Sequence, residues 1–375
     1  MWRRFFYADA GIWGESFSNL NSSGKLTIAT GSDRIKTSPD ILPMTLEQKL
    51  KTLDPGEKVL IMPHDNPDPD ALASAWGLSF ILKKERDISA TIAYGGLIGR
   101  AENRAMVHEL EIPLHPYSRS LLNKHKRVIM VDCQPHTGNS SLPDDIDPDI
   151  VIDHHPRRDT TRPKLWDLIN ENIGATSTLI ASNLKSTGYK LPSNLVTALF
   201  YAISSETKEL GWEGTQTDYE NYVYLLPHVD FQKLHRITHP ALSKKYYQSL
   251  NQALTASRVY QYAVITPMDK VPYPELPAEI ADFLLFREGI RLSFVTGIYK
   301  QNLYLSMRSL NRRINAADIM LHILHDLGQG GGHMVMAGGK ITNVDSSNIK
   351  RIRKTLKKRF LHELSIHRTQ GKPLY

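Results

Sequence analysis

Three short apolar runs, Val59-Leu60-Ile61-Met62, Val128-Ile129-Met130-Val131 and Ile150-Val151-Ile152, each deliver a carboxylate or an imidazole where they stop. The first leads into His64-Asp65-Asn66-Pro67-Asp68-Pro69-Asp70, the second into Asp132 and the third into Asp153-His154-His155. Apolar runs of four or so residues, bounded by turn-forming residues, fit buried strands better than helices. Between them the period changes. Residues 70–84 place Leu72, Ala75, Leu78, Ser79 and Leu82 on one helical stripe, and residues 101–110, 175–187 and 194–205 also read as helices. Residues 91–94 read as a further short strand. Strands alternating with helices predict an α/β fold with a doubly wound, mostly parallel sheet. In such sheets ligands bind beyond the carboxyl ends of the strands, where these polar residues fall.

The second half of the chain predicts a smaller α/β domain that closes the cleft. Strand candidates cover 259–266, 291–299 and 302–307, with helices near 278–286 and 315–326, followed by Gly328-Gln329-Gly330-Gly331-Gly332-His333. The expected division is an irregular arm over 1–45, a metal-binding catalytic domain over 46–217, a helical connector over 218–257, a substrate-binding domain over 258–345 and a basic helix or tail over 346–375.

The formal net charge of +7 favours an anionic partner such as a phosphate ester or nucleic acid, although Lys350-Arg351-Ile352-Arg353-Lys354 and Lys357-Lys358-Arg359 supply part of it from one solvated segment. A single cysteine, Cys133, rules out an intrachain disulfide and a thiolate zinc site. With no run of membrane-span length in the sequence, a reduced cytoplasmic location and no membrane partner are the expectations.

The strand ends carry the chemistry. His64, Asp68 and Asp70 leave one loop, which Pro67 and Pro69 stiffen, so that three side chains can converge on one point despite mutual repulsion. Oxygen and imidazole donors without thiolates suit Mn²⁺ or Mg²⁺. Asp132 is placed to bridge two ions, Asp153 to orient His154 rather than to bind metal, and His155 to point toward substrate. Glu206, after a helix, is a candidate for a further ligand. In the second domain Gly330, Gly331 and Gly332 could expose backbone N–H groups to an anion, and Arg308 offers a planar fork for phosphate. Phe294, Tyr299 and Tyr304 could stack bases, although aromatics alternating along a strand more often fill a core.

Taken together, His64 to Asp70, Asp132, Asp153-His154-His155 and Gly330-Gly331-Gly332-His333 resemble the DHH phosphoesterase family, in its branch of oligoribonucleases (nano-RNases) and 3′-phosphoadenosine-5′-phosphate phosphatases. The resemblance spans residues 45–345. It implies a cofactor of two Mn²⁺ ions, with Mg²⁺ or Co²⁺ as substitutes, one held by His64 and Asp68 and the other by Asp70 and His154, with Asp132 between them. Family members usually carry Asp where this chain has Glu206. It also implies that His155, with Asp132 and Asp153, serves catalysis. Asn66, His155, Arg308, Ser309, Gly330, Gly331, Gly332 and His333 would hold the substrate. The implied activity is two-metal hydrolysis of short RNA or of a nucleoside bisphosphate, and related enzymes are often homodimers. Hydrolysis of cyclic or linear dinucleotides, inorganic pyrophosphatase activity and a catalytically silent nucleotide-binding regulator are the alternatives.

Overall fold

A computed structural model describes residues 45–211, 214–311, 313–332 and 334–375. The arm expected over 1–45 therefore lies almost wholly outside the described residues, as does His333.

The first domain is built on six parallel strands, β1 (Val59–Pro63), β2 (Thr91–Tyr94), β3 (Leu114–Pro116), β4 (Arg127–Val131), β5 (Ile150–Asp153) and β6 (Trp166–Ile169), in the order β3-β2-β1-β4-β5-β6. Helices α1 (Leu46–Leu50), α2 (Pro69–Arg86), α3 (Ala101–Leu110), α4 (Arg119–Asn123), α5 (Thr176–Thr187) and α6 (Ser193–Glu206) accompany them. All five residues of β1 are buried, as expected of a central strand covered on both faces. Helix α2 starts where Asp68 accepts the Ala71 N–H and Pro69 takes the first helical position, a residue pair suited to a helix start. It packs between α5, α6 and the sheet, and eleven of its residues are buried. The strand order reverses between β1 and β4, so the crevice at their carboxyl ends is the topological switch point.

Helices α7 (Gln216–Leu225), α8 (Phe231–Thr238) and α9 (Lys244–Ala256) lead to a second, mixed sheet. Its strands are β7 (Arg258–Tyr260), β8 (Ala263–Lys270), β9 (Leu292–Tyr299), β10 (Asn302–Ser309), β11 (Gln329–Gly332), β12 (Met336–Ile341) and β13 (Lys372–Pro373), ordered β11-β12-β10-β9-β8-β7-β13. Helices α10 (Leu276–Leu284), α11 (Ala316–Leu324) and α12 (Ile349–Glu363) complete the domain. Alternation along β9 divides the core. Phe294 stacks on Phe360 of α12, while Val295 faces the side lined by Ile280 and Leu284 of α10. Phe294 is therefore core, not a base platform.

Two sequence expectations change here. The strand expected over 259–266 is a hairpin of β7 and β8, turned at Gln261, whose φ is 55°. The Gly-rich loop is the edge strand β11, with Gly330, Gly331 and Gly332 paired to Gly339, Gly338 and Ala337 of β12. A Cβ at Gly330 would strike Leu324, Met320 and the Gly338 carbonyl, so this glycine lets the strand pack against α11.

Candidate metal centre and substrate cleft

The ends of β1, β4 and β5 bring His64, Asp132 and His154 into one crevice, together with Asp68 and Asp70 from the first turn of α2. Asp132 leaves β4 at φ 59°, a left-handed conformation that Asp tolerates better than most residues. Its two oxygens face different partners. Oδ2 lies 3.7 Å from His64 Nε2, which is itself 3.7 Å from Asp68 Oδ1. Oδ1 lies 3.7 Å from His154 Nε2, which is 3.9 Å from Asp70 Oδ2. One carboxylate thus joins two donor clusters, each too widely spaced for direct hydrogen bonds within it.

Donor chemistry favours divalent cations in both clusters. His64 Nδ1 is 2.9 Å from the Asp65 carbonyl and His154 Nδ1 is 3.4 Å from the Ile173 carbonyl. Each carbonyl holds the Nδ1–H tautomer and turns the Nε2 lone pair into the crevice. His154 Nε2 is buried with no hydrogen-bond partner, an orphan that a metal ion would satisfy. His155 Nδ1 also lies 3.9 Å from Asp132, but it already donates to Asp153 at 2.8 Å, so Asp70 is the better third donor beside His154. Glu206 ends α6, and its charge acts on both His64 and Asp132.

The electrostatics report crowded charge. Burial, then Asp70, Asp68, Asp153 and Glu206, push the Asp132 carboxyl well above the usual range. Burial and Asp68 likewise raise Asp70. Burial opposes protonation of His64, yet Asp68, the Asp65 carbonyl and Glu206 carry it up to about 9. A divalent cation held here would relieve this repulsion and displace that proton.

Several supporting residues carry no signal in a single sequence. Thr176 and Ser177 open α5 with backbone N–H groups that donate to Asp70 at 2.7 Å each, and Thr176 Oγ1 donates to Asp132 at 2.8 Å. The helix dipole favours the anion there. Buried Asp218 accepts the Gly174 N–H and the Thr178 hydroxyl and so fixes this turn. Only the Gly174-Ala175-Thr176-Ser177 run ahead of an apolar stretch hinted at a helix start.

Asp153 differs from expectation. Its Oδ1 accepts the backbone N–H groups of His154 and His155 and the ring Nδ1–H of His155, while Oδ2 accepts from Gln134. The ring it orients is therefore that of His155, and the Ile173 carbonyl orients His154. Burial would raise the Asp153 carboxyl, but these bonds and the neighbouring imidazoles hold it below the usual range. We expect Asp153→Asn to lower kcat by about 10–100-fold, the typical loss of a supporting partner, with Mn²⁺ affinity changed much less. Parallel turnover and Mn²⁺ titrations would check this, and an equal loss in both would make Asp153 part of the metal shell.

Comparison with known proteins fits this geometry. Residues 58–203 match the DHH family, N-terminal domain, and residues 263–361 match the DHHA1 domain. The chain carries a DHH domain followed by a DHHA1 domain. This pairing is consistent with the DHH phosphoesterase family. An uncharacterized protein of Methanocaldococcus jannaschii is 33% identical over 285 residues, which cover 76% of this chain and 58% of the relative. A probable manganese-dependent inorganic pyrophosphatase of Archaeoglobus fulgidus is 25% identical over 170 residues, 40% of this chain and 49% of its own length. The chain thus spans about half the length of these curated relatives. A crystal structure of an exopolyphosphatase-related protein from Bacteroides fragilis shares the fold, with a TM-score of 0.65 at 16% identity over 84% of this chain and 95% of that one. Among the described residues, no helix is long and apolar enough to cross a membrane.

The DHHA1 domain brings its own polar groups to the cleft. Arg308 and Ser306 share one face of β10, and Arg308 Nη1 donates to Ser306 Oγ at 3.0 Å. Ser309 lies on the opposite face, where it is buried and its hydroxyl closes a turn with Asn311. Ser306, itself buried, is thus the serine that accompanies Arg308. Asn66 is also occupied structurally. At φ 56° it uses Oδ1 to accept the Leu97 N–H, which ties the DHH loop to the β2–α3 connection. Tyr304 packs near Tyr299, with Lys340 above its ring, and both Tyr304 and Lys340 act electrostatically on or with Asp65 at the DHH rim.

Proposed function

We propose that this protein is a manganese-dependent phosphoesterase that hydrolyses short oligoribonucleotides, dinucleotides above all, and accepts 3′-phosphoadenosine-5′-phosphate. One observation carries the reading: Asp132 turns one oxygen to each of two His/Asp clusters. His64, Asp68 and Asp132 would hold one ion, and Asp70, His154 and Asp132 the other. Two such ions supply Lewis-acid polarisation of a phosphoryl group and a water acidified to neutral pH. The chain's own residues do the remaining work. Asp153 keeps the His155 Nδ1–H in place, so Nε2 of that ring is the atom presented to the phosphoryl group. Thr176 and the N-terminal amides of α5 hold Asp132 and Asp70 against their mutual repulsion. Arg308 stands across the cleft as the phosphate-binding cation.

A second reading, inorganic pyrophosphate hydrolysis, is favoured by the relatives described as probable manganese-dependent inorganic pyrophosphatases. One assay separates the two. Purified protein with Mn²⁺ is offered diribonucleotides, longer RNA, 3′-phosphoadenosine-5′-phosphate, cyclic dinucleotides and pyrophosphate. Turnover highest on dinucleotides supports the proposal. Turnover highest on pyrophosphate replaces it, and nucleotide binding without turnover would mark a silent regulator.

A further inference from the structure

Asp282, on α10 of the DHHA1 domain, is surrounded by cations from both domains. Its Oδ1 accepts from Arg308 Nε at 2.8 Å and lies 3.7 Å from Lys208 Nζ, while Oδ2 lies 3.9 Å from Arg100 Nη2. Arg308 belongs to the same domain, but Arg100 precedes α3 and Lys208 follows α6 in the DHH domain. Glu279, one turn earlier on α10, reaches Arg100 at 4.0 Å. Burial would raise the Asp282 carboxyl, yet Arg308, Arg100 and Lys208 together hold it below the usual range. Arg100 also acts electrostatically on Asp68 of the metal centre.

Backbone strain marks one of these cations. Lys208, Glu209 and Leu210 have φ values of 48°, 56° and 63°. Three successive non-glycine residues in the left-handed region are strained, because each Cβ crowds the following carbonyl oxygen. The turn is held by bonds from the Glu209 N–H to the Ser204 carbonyl (2.7 Å) and from the Leu210 N–H to Thr207 Oγ1 (3.1 Å). Such strain persists where the surroundings over-determine it, often at working sites. Here it projects Lys208 across the cleft.

Three cations around one carboxylate form an anion subsite with a resident anion already in it. Resting on the phosphoesterase reading for its substrate class, we propose that Asp282 is a displaceable counter-anion. It latches the two domains through Arg100 and Lys208 while the cleft is empty, and it yields Arg308, Arg100 and Lys208 to the phosphate of an incoming ligand. The same side chain then discriminates by charge: a neutral or weakly charged group does not displace it, whereas a phosphate dianion does.

Isothermal titration of the full chain, dialysed free of divalent ions, with inorganic phosphate tests this. Asp282→Asn is expected to bind phosphate about tenfold more tightly than wild type, the scale of one charge-assisted hydrogen bond released. Asp282→Glu should restore the wild-type affinity, and Arg308→Gln added to Asp282→Asn should cancel the gain. Equal or weaker binding by Asp282→Asn overturns the latch and leaves Asp282 as a support for Arg308. Hydrogen exchange on wild-type protein gives a second reading that needs no variant to fold. Phosphate should speed exchange in α10, and unchanged α10 exchange with phosphate bound also overturns the proposal. Both readouts are independent of turnover. An enzyme inactive on every phosphoester would sink the proposed activity while these measurements still decide the latch.

Discussion

Asp132→Asn is expected to lower Mn²⁺-dependent turnover by more than about a hundredfold, beyond what loss of a mere supporting partner costs. The substitution keeps the shape and the hydrogen bond accepted from Thr176, so the loss isolates the charge shared by the two clusters. In divalent-free protein the same change should act oppositely on stability. Burial and four neighbouring carboxylates raise the Asp132 pKa in the folded state. A group raised in this way contributes stability below its unfolded pKa, and that contribution is lost as pH rises through the folded value. Above the unfolded-state value the raised carboxyl is therefore a net cost to folding, which asparagine removes. Metal-free Asp132→Asn should therefore melt higher than wild type at pH 8 and show little difference near pH 4. Near-normal Mn²⁺-dependent turnover by this variant would sink the two-ion reading outright.

The contrast between what the sequence conveyed and what it concealed follows from the range of the interactions. Strands β1, β4 and β5 are buried on both faces, so each is a continuous apolar run and each end points to the site. Helix α2 was legible from the stripe of Leu72, Ala75, Leu78 and Leu82, while its start at Pro69, capped by Asp68, lies one residue before the residues 70–84 read as helix. Edge strands β3 and β6 are short and partly exposed, so their residues lack that run. Strand β11 is nearly all glycine and has no side-chain period to read. The parity of β10 could not be read from composition either. Arg308 and Ser309 are neighbours in sequence but lie on opposite faces, which is why Ser306 rather than Ser309 accompanies Arg308. Asp153 held the right neighbourhood but the wrong ring, because its choice between His154 and His155 depends on the Ile173 carbonyl twenty residues on. The pairing of Arg308 with Asp282 links different elements, and nothing in the local pattern of either announces it.

Mn²⁺ should stabilise this protein strongly, and how that gain varies with pH tests the ligand set. At free Mn²⁺ about 100-fold above the dissociation constant, binding to the folded state alone contributes about 2.7 kcal/mol. For a domain of this size that raises Tm by about 5–10 °C. His64, carried up to about 9 in the metal-free protein, is protonated at neutral pH and must lose that proton to bind. Apparent Mn²⁺ affinity should therefore rise about tenfold per pH unit between 6.5 and 8.5, with close to one proton released per ion at this cluster. Calorimetry in buffers of different ionisation enthalpy measures that proton directly. His64→Ala should both weaken binding and flatten the pH slope, because the titrating ligand is gone while Asp68, Asp70, Asp132 and His154 remain. A pH-independent affinity in wild type would remove His64 from the ligand set, since a protonated imidazole cannot hold a cation at Nε2. Weakened binding with an unchanged slope in His64→Ala would instead assign the proton to Asp132 or Asp70, whose raised carboxyls must also ionise to hold a cation.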